Sequence, residues 1–322
     1  MYVRLSVVVC SAFVCFAYAQ LPGSDSGHGS GPEITVRSRA SRPTSLAVGQ
    51  PSTHVVRSDV KLVLVPVTVT DEASRPINDL PKERFRILED GVEQQITSFS
   101  WEDGPVSLGL LFDSSGSMKG RISASVAALK YVFQTTRPDD EFFVIQFSDD
   151  VRQLGGFTSE PDEIQRRLGF VQTGGWTSLL DAVALGIHRM RSAKNPRKVL
   201  LILSDGNDNN SRFSESEIRS RVMEADVRIY AIGLSYRPRL LQRLAEETGG
   251  NVLVAQNMKE LPDVVQCLSA EIRSHYLFGY TSTNQTSDGK YRKVKVELLQ
   301  SSGGPSFRAS WRRGYYAEGF NE

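Results

Sequence analysis

The sequence predicts an α/β fold, a doubly wound and mostly parallel Rossmann-like sheet, with β-rich segments on either side of it. Between about residues 106 and 274, strand-like and helix-like segments alternate along the chain. Two of the strand-like segments, Val199–Leu203 and Ile229–Ile232, are apolar at every position. Such runs are typical of parallel strands that helices cover on both faces. With 322 residues, 40% of them hydrophobic, the chain can build one large core or two modest ones.

The N-terminal residues have the pattern of a secretory signal peptide. Arg4 supplies a positive charge, residues 5–16 are mostly apolar, and Ala17-Tyr18-Ala19 has the small-x-small form of a cleavage site. We therefore expect residues 1–19 to be removed after Ala19, which leaves a periplasmic or secreted chain without a transmembrane anchor. An uncleaved anchor helix is the alternative, but the apolar run is short for a membrane span. Residues 20–56 are rich in Ser, Gly and Pro and are predicted to form a flexible linker.

Two β-rich segments flank the predicted α/β domain, which we place at residues 104–274. The N-terminal segment, 57–103, begins with a β-prone run, and its Asp90-Gly91 pair predicts a type I′ hairpin turn between strands 85–88 and 96–99. In the C-terminal segment, 275–318, apolar residues alternate with charged ones between 293 and 298, as in a half-buried strand. We expect the two segments to pack together as a small β-sandwich domain.

Within the α/β domain, hydrophobic periodicity separates the strands from the helices. The predicted strands lie at about 106–113, 142–148, 151–157, 198–204, 227–234 and 251–255. The predicted helices lie at about 119–135, 160–169, 178–192, 214–224, 237–247 and 257–274. The 151–157 strand follows its predecessor too closely for a crossover helix, so it is predicted to be an antiparallel edge strand. The acidic runs 139–141 and 149–150 are predicted to be solvated turns.

Oxygen-bearing side chains follow the predicted strands at three places. Asp113, Ser115 and Ser117 come directly after the first strand of the domain, Thr177 follows two glycines, and Asp205 ends an apolar strand. The carboxyl ends of parallel strands are where ligands bind in doubly wound sheets. Ligands that are all oxygens suit Mg²⁺, with Mn²⁺ or Ca²⁺ as alternatives, and argue against zinc. Taken singly, these residues could instead be helix caps and turn formers.

The neighbours of these residues are predicted to form a rim that contacts a partner. The rim consists of Met118, Trp176 and Asn207, with Lys119 and Asp208 beside them. An aromatic side chain next to a metal suits a binding hot spot. Packing of Trp176 under its own loop is the alternative interpretation.

At these positions the sequence resembles the von Willebrand factor A (VWA) family, whose metal-ion-dependent adhesion site (MIDAS) has the pattern Asp-x-Ser-x-Ser, then Thr, then Asp. The resemblance covers about residues 107–273. It implies that the two serines ligate the metal directly, the threonine directly or through water, and the two aspartates mainly through water. It also implies one open coordination position for a carboxylate from a protein partner. The matching residues are Asp113, Ser115, Ser117, Thr177 and Asp205.

The flanking segments resemble the bacterial secreted group called VWFA-related Acidobacterial domain proteins. This likeness extends to nearly the whole predicted mature chain and implies no particular activity. The residues that carry it are Val67–Asp71, Glu83–Phe85, Glu89–Gly91, Ile96–Phe99, Tyr276–Tyr280 and Arg313–Tyr316.

Composition and missing motifs exclude several other functions. The net charge of +1 and the lack of a basic block argue against nucleic acid as a partner. Because there is no paired-histidine zinc motif, nucleophile elbow or Walker-type loop, we do not expect an enzyme. Cys267 is the only cysteine beyond the signal peptide, so no internal disulfide is expected. We therefore predict a metal-dependent, adhesion-type protein-binding module, the alternative being an envelope-assembly scaffold that binds through its β segments and holds a structural metal.

Overall fold

The computed structural model describes residues 62–234, 238–299 and 305–317. The predicted signal peptide and linker lie outside the described residues. Within the described part, no helix is both long enough and apolar enough to cross a membrane.

The strands and helices are numbered here in chain order. The strands are β1 (Leu62–Thr70), β2 (Phe85–Glu89), β3 (Val92–Gln94), β4 (Ile96–Glu102), β5 (Val106–Asp113), β6 (Glu141–Phe147), β7 (Val151–Gln153), β8 (Arg197–Ser204), β9 (Arg228–Leu234), β10 (Val252–Ala255), β11 (His275–Thr281), β12 (Tyr291–Leu298), β13 (Arg308–Trp311) and β14 (Gly314–Tyr316). The α-helices are α1 (Ile122–Phe133), α2 (Pro161–Leu168), α3 (Leu179–Met190), α4 (Glu215–Glu224), α5 (Arg239–Thr248) and α6 (Leu261–Arg273).

The α/β domain contains a six-stranded sheet in the order β10-β9-β8-β5-β6-β7. Its strands are parallel except for β7, which pairs antiparallel with β6, as the short connection requires. Leu201 and Leu203 pack into an apolar cluster with α1, α2 and α6, whereas Leu200 and Ile202 pack into a second cluster with α3, α4 and α5. Both faces of the sheet are therefore covered, which explains the uninterrupted apolar runs and confirms the α/β, Rossmann-like class.

Strands from before and after the α/β domain pair with each other in two further sheets. Each has four strands, in the orders β13-β1-β11-β4 and β14-β12-β2-β3. In the first sheet, β1 runs antiparallel to β11 and Val67 lies opposite Tyr276. The two sheets share one buried apolar cluster, which includes Val67, Ile87, Phe278 and Val296. The chain therefore enters the α/β domain from this pair of sheets and returns to the same pair when it leaves the domain.

The hairpin predicted around Asp90-Gly91 is partly wrong. Asp90 and Gly91 have positive φ angles of 47° and 87°, as a type I′ turn requires. However, the strand after the turn is the short β3, in which Val92 lies opposite Glu89. The segment 96–102 crosses to the other sheet as β4 and pairs with β11 instead. There Phe99 packs against Phe278 with their ring centroids 5.0 Å apart, and this aromatic contact favours the exchange.

Within the acidic run 139–141, Asp139 is exposed but Asp140 and Glu141 are buried, so the predicted solvated turn is wrong for these two residues. Asp140 has no exposed surface, forms an ion pair with Arg273 and accepts a 2.8 Å hydrogen bond from the Val106 amide. Burial alone would raise the pKa of Asp140, but the hydrogen bonds from Arg273 and from backbone amides hold it below its usual value. Glu141 accepts hydrogen bonds from the Ser107 hydroxyl at 2.5 Å and the Lys194 amide at 2.6 Å. Both carboxylates therefore anchor chain segments.

Glu89 is a buried carboxylate between the two β sheets. It accepts hydrogen bonds from the hydroxyls of Tyr280 (2.6 Å), Tyr315 (2.8 Å) and Ser282 (2.5 Å). Burial and the hydrogen bond to Glu89 raise the pKa of Tyr315 to about 12. We call these four residues the Glu89 cluster, and it links β2 to β14 and to the end of β11.

Candidate metal centre

The candidate site begins where two adjacent parallel strands end. The pairing of β5 with β8 continues to Phe112 and Leu203, so Asp113 and Ser204 emerge side by side at the carboxyl edge of the sheet. Asp113 is fully buried. Its Oδ2 accepts a hydrogen bond of 2.5 Å from the Ser204 hydroxyl, and its Oδ1 accepts one of 2.8 Å from the Ser115 amide. These two bonds fix the orientation of the carboxylate.

A short 3₁₀ turn, Gly116–Met118, follows Asp113 and brings two serine hydroxyls together. The Oγ atoms of Ser115 and Ser117 are 3.0 Å apart. Ser115 is buried, whereas Ser117 is exposed. The pair therefore presents two hydroxyl oxygens between the buried carboxylate and the surface.

The loop that carries Thr177 is attached to this turn through its backbone. The Gly116 amide donates to the Gly175 carbonyl at 3.0 Å, and the Gly174 amide donates to the Ser114 carbonyl at 2.9 Å. Gly175 has φ +76°, and a Cβ at this position would lie 1.9 Å from Oδ2 of Asp149. Only glycine fits at position 175, whereas a Cβ at Gly174 would meet no atom within 4 Å.

Two residues that the sequence reasoning missed hold Thr177 in place. Asp149 accepts a 2.7 Å hydrogen bond from the Trp176 amide, and Asn209 accepts a 2.8 Å hydrogen bond from the Thr177 amide. Thr177 itself is buried. Asp149 follows β6 at the same carboxyl edge of the sheet, so its position after a parallel strand was a usable signal. The structure thus corrects the prediction that the run 149–150 is only a solvated turn.

Asp205 supplies the second carboxylate of the site. It is buried, and among the described residues its Oδ1 has no hydrogen-bond partner. Burial and, to a smaller extent, the charge of Asp205 raise the pKa of Asp113, whereas hydrogen bonds from Ser115 and Ser204 act in the opposite direction. A buried carboxylate oxygen without a donor is costly, and a bound cation would satisfy it.

The donor set fits a hard divalent cation. The loops that carry Asp113, Ser115, Ser117, Thr177 and Asp205 meet at one edge of the sheet, and every candidate donor is an oxygen atom. The described residues contain no group of three or more His, Cys, Asp and Glu side chains that could hold a metal. Hydroxyls must therefore provide part of any ligand set at this edge.

Two of the three residues predicted to form the rim are exposed. Trp176 is 64% exposed, and Asn207 is exposed as well. Met118 has no exposed surface and packs in the apolar cluster with α1, so its assignment to the rim is wrong. The 3₁₀ turn causes this difference, because it directs Ser117 outward and Met118 inward.

Asp208, placed beside the rim, has a structural role at the start of α3. Its Oδ1 accepts hydrogen bonds from the amides of Leu179 (2.9 Å) and Leu180 (3.3 Å). This carboxylate thus satisfies amide groups at the positive end of the helix. The loop after β8 is consequently hydrogen-bonded both to Thr177 and to the first residues of α3.

Comparisons with known proteins bear on the α/β domain that carries this site. The model of the von Willebrand factor type A domain family matches residues 108–266. The chain is similar to inter-alpha-trypsin inhibitor heavy chain H2 of Mus musculus, with 26% identity over 218 residues, and to that of Homo sapiens, with 25% identity. Each match covers 62% of this chain but only 22% of the relative, so the chain spans a minor part of these proteins.

Solved structures to which the chain is similar include the von Willebrand factor type A from Catenulispora acidiphila. It shares 12% identity and has a TM-score of 0.49, with 80% of this chain and 72% of that chain covered. Another is proximal thread matrix protein 1 from the mussel byssus with a zinc-occupied MIDAS motif. It shares 19% identity and has a TM-score of 0.45, with 57% of this chain and 49% of that chain covered.

Proposed function

Because residues 108–266 form a von Willebrand factor type A domain, we propose that the protein is a metal-dependent, adhesion-type protein-binding module. A divalent cation at Asp113, Ser115, Ser117, Thr177 and Asp205 engages a carboxylate of a partner protein. Domains of this family typically mediate protein–protein interactions, and no catalytic role is proposed.

One observation carries the proposal. Two buried carboxylates, Asp113 and Asp205, lie close enough for the charge of Asp205 to raise the pKa of Asp113, and Oδ1 of Asp205 has no donor among the residues that the structure describes. A cation between them would remove both the repulsion and the unsatisfied acceptor. We further propose that the two aspartates act mainly through water, so that the direct ligands, the hydroxyls of Ser115 and Ser117, are neutral and leave the cation's charge uncompensated in its inner shell. An incoming Glu or Asp from a partner completes the shell and neutralises that charge.

The proposed metal is Mg²⁺, with Mn²⁺ or Ca²⁺ as alternatives, because oxygen ligands suit these hard cations better than softer ones. On the partner side, Trp176 and Asn207 are proposed as rim contacts, since both are exposed beside the Thr177 and Asp205 loops. A large exposed aromatic next to a charged anchor is typical of a binding hot spot.

The proposed location is the periplasm or the cell exterior, after removal of residues 1–19. We also infer that the two β sheets form a small β-sandwich domain from segments 57–103 and 275–318, with the VWA domain at 104–274 inserted between them. The antiparallel pairing of β1 with β11 and the shared apolar cluster support this division.

The test is a pull-down from envelope or medium fractions with immobilised protein in Mg²⁺, followed by elution with EDTA. We expect a partner that elutes with EDTA and is absent when Asp113→Ala is the bait. Asp162→Ala, which removes an exposed carboxylate on α2, is the matched control and should retain the partner. Capture that is unchanged by both chelator and Asp113→Ala would refute the proposal.

A second function is favoured by the exposed apolar residues of β1. Leu62 and Leu64 are each 53% exposed on one face of the strand. They fit an envelope-assembly scaffold that binds through its β segments, with a metal that only stabilises the fold. In that case Asp113→Ala would lower the melting temperature and leave partner binding intact. Leu62→Ser with Leu64→Ser would instead abolish partner binding.

A further inference from the structure

A cleft of about 940 Å³ lies between the α/β domain and the sheet β14-β12-β2-β3. Its helical wall includes Arg219 and Met223 of α4, and its sheet wall includes Leu88 and Tyr291. None of the residues that line it belongs to the loops of the metal centre. Its size is that of a ligand-binding cleft, and junctions between domains are common places for such sites.

The floor of the cleft is apolar and held rigidly. The indole of Trp311 donates a 2.9 Å hydrogen bond to the Val294 carbonyl, and the Arg313 guanidinium lies 4.3 Å from the Trp311 ring centroid. Tyr291 packs edge-on against Tyr316, with ring centroids 5.1 Å apart. Because neighbouring groups already engage both rings, apolar side chains suit this floor better than a sugar ring that needs an open aromatic face.

Cations outnumber carboxylates around the cleft. Arg219 is paired with Glu247, and Lys295 is paired with Glu297 at 2.7 Å. Within the described part of the chain, Lys293 and Arg313 form no ion pair. The cations of the lining are Arg219, Lys293, Lys295 and Arg313, against the carboxylates of Asp90 and Glu247.

The spacing of two of these cations matches that of an extended chain. Lys293 and Lys295 are two residues apart on β12, and both are exposed on the same face of the strand. Side chains at this separation in a strand are about 7 Å apart. An extended peptide with acidic residues at alternate positions has the same spacing, so two of its carboxylates can meet both lysines.

We propose that this cleft binds an extended acidic peptide segment of a protein partner, with acidic and apolar residues in alternation. The carboxylates pair with Lys293, Lys295 and Arg313, and the apolar side chains, which alternate to the other side of the peptide, contact Met223 and Trp311. Charge pairs at an exposed surface contribute little by themselves, so the apolar contacts must supply much of the affinity. This binding requires no metal and is independent of the function proposed for the VWA domain.

The test is fluorescence anisotropy with a fluorescein-labelled peptide of four Glu-Leu repeats, measured with full-length protein in EDTA. We expect saturable binding that Lys293→Glu with Arg313→Glu weakens at least about tenfold. The control variant, Lys130→Glu with Arg189→Glu, changes the net charge by the same amount but on α1 and α3, away from the cleft. It should bind the peptide normally. Asp113→Ala should also bind normally, because the metal centre is not involved.

Peptides of four Glu-Ser and four Lys-Leu repeats complete the experiment. Both should bind at least about tenfold more weakly, since one lacks apolar groups and the other has the wrong charge. Equal binding of the Glu-Ser peptide, undiminished binding by the Lys293 and Arg313 double variant, or no binding of the Glu-Leu peptide would each overturn the proposal. If charge reversal unfolds the protein, Lys293→Gln with Arg313→Gln replaces it, with the melting temperature as the check.

Discussion

Replacing Glu271 by Gln should remove a pH-dependent loss of stability. Glu271 is buried near the end of α6, where its Oε2 accepts a 3.0 Å hydrogen bond from Asn251 and its Oε1 has no partner among the described residues. Burial raises its pKa from 4.5 to about 7, although the hydrogen bond from Asn251 and the charges of Arg228 and Arg308 act in the opposite direction. A glutamine keeps an acceptor for Asn251 and carries no charge.

The sign and size of the effect follow from the pKa difference. Between pH 4.5 and 7, the folded protein holds a proton on Glu271 that the unfolded chain has lost, so the free energy of unfolding falls as the pH rises. At about 1.4 kcal/mol per pH unit, the free energy of unfolding falls by about 3 kcal/mol between pH 4.5 and 7. Below pH 4.5 the carboxyl is neutral in both states and no loss remains. Glu271→Gln should therefore match the wild type at pH 4.5 and exceed its stability by about 3 kcal/mol at pH 8.

Urea unfolding of both proteins between pH 4.5 and 8 measures this difference. The neighbouring His275 has its pKa lowered to about 2 by burial and by the charges of Arg228 and Arg197, so it destabilises the fold as the pH falls below 6.5. Because both proteins contain His275, its contribution cancels in the difference between them. Parallel stability profiles, with no gain for Glu271→Gln at pH 8, would refute the reasoning.

Three other substitutions test particular contacts. Glu89→Ala leaves three hydroxyls of the Glu89 cluster without their acceptor and should lower the free energy of urea unfolding by about 3 kcal/mol or more. Asp140→Ala leaves Arg273 without its buried partner and should cost about 3–5 kcal/mol, seen as a lower melting temperature, whereas no change would show that the ion pair is unimportant. Gly175→Ala forces a Cβ onto the Asp149 carboxylate and introduces about 1–3 kcal/mol of strain, so Mg²⁺ affinity should fall while the circular dichroism spectrum is retained.

Periodicity and strand ends allowed much of the fold and the site to be predicted. Leu200 and Leu201 point to opposite apolar clusters, so the apolar run itself revealed a doubly covered sheet. In a parallel sheet the strand ends share one edge, so the sequence alone predicts that Asp113 and Asp205 lie at the same edge. The ligand roles of these two residues remain a prediction.

Two of the features that the sequence did not reveal depend on partners distant along the chain, and a third depends on a local turn. Asp140 is buried because Arg273, at the far end of the domain, neutralises it. Met118 lies inward because a 3₁₀ turn, which has a tighter period than the predicted helix, precedes α1. The crossing of β4 to the other sheet likewise depends on Phe278, which lies far along the chain.

Isothermal titration calorimetry with Mg²⁺, Mn²⁺ and Ca²⁺ tests the proposed metal centre most directly. Wild-type protein should bind one ion, with Asp162→Ala behaving identically, whereas Asp113→Ala and Asp205→Ala should lose this binding and remain folded. The structural reason for this expectation is Oδ1 of Asp205, which is buried and has no hydrogen-bond partner in the described part of the chain. Absence of saturable binding for all three ions, or binding undiminished in both substituted proteins, would contradict the assignment of a cation to these residues.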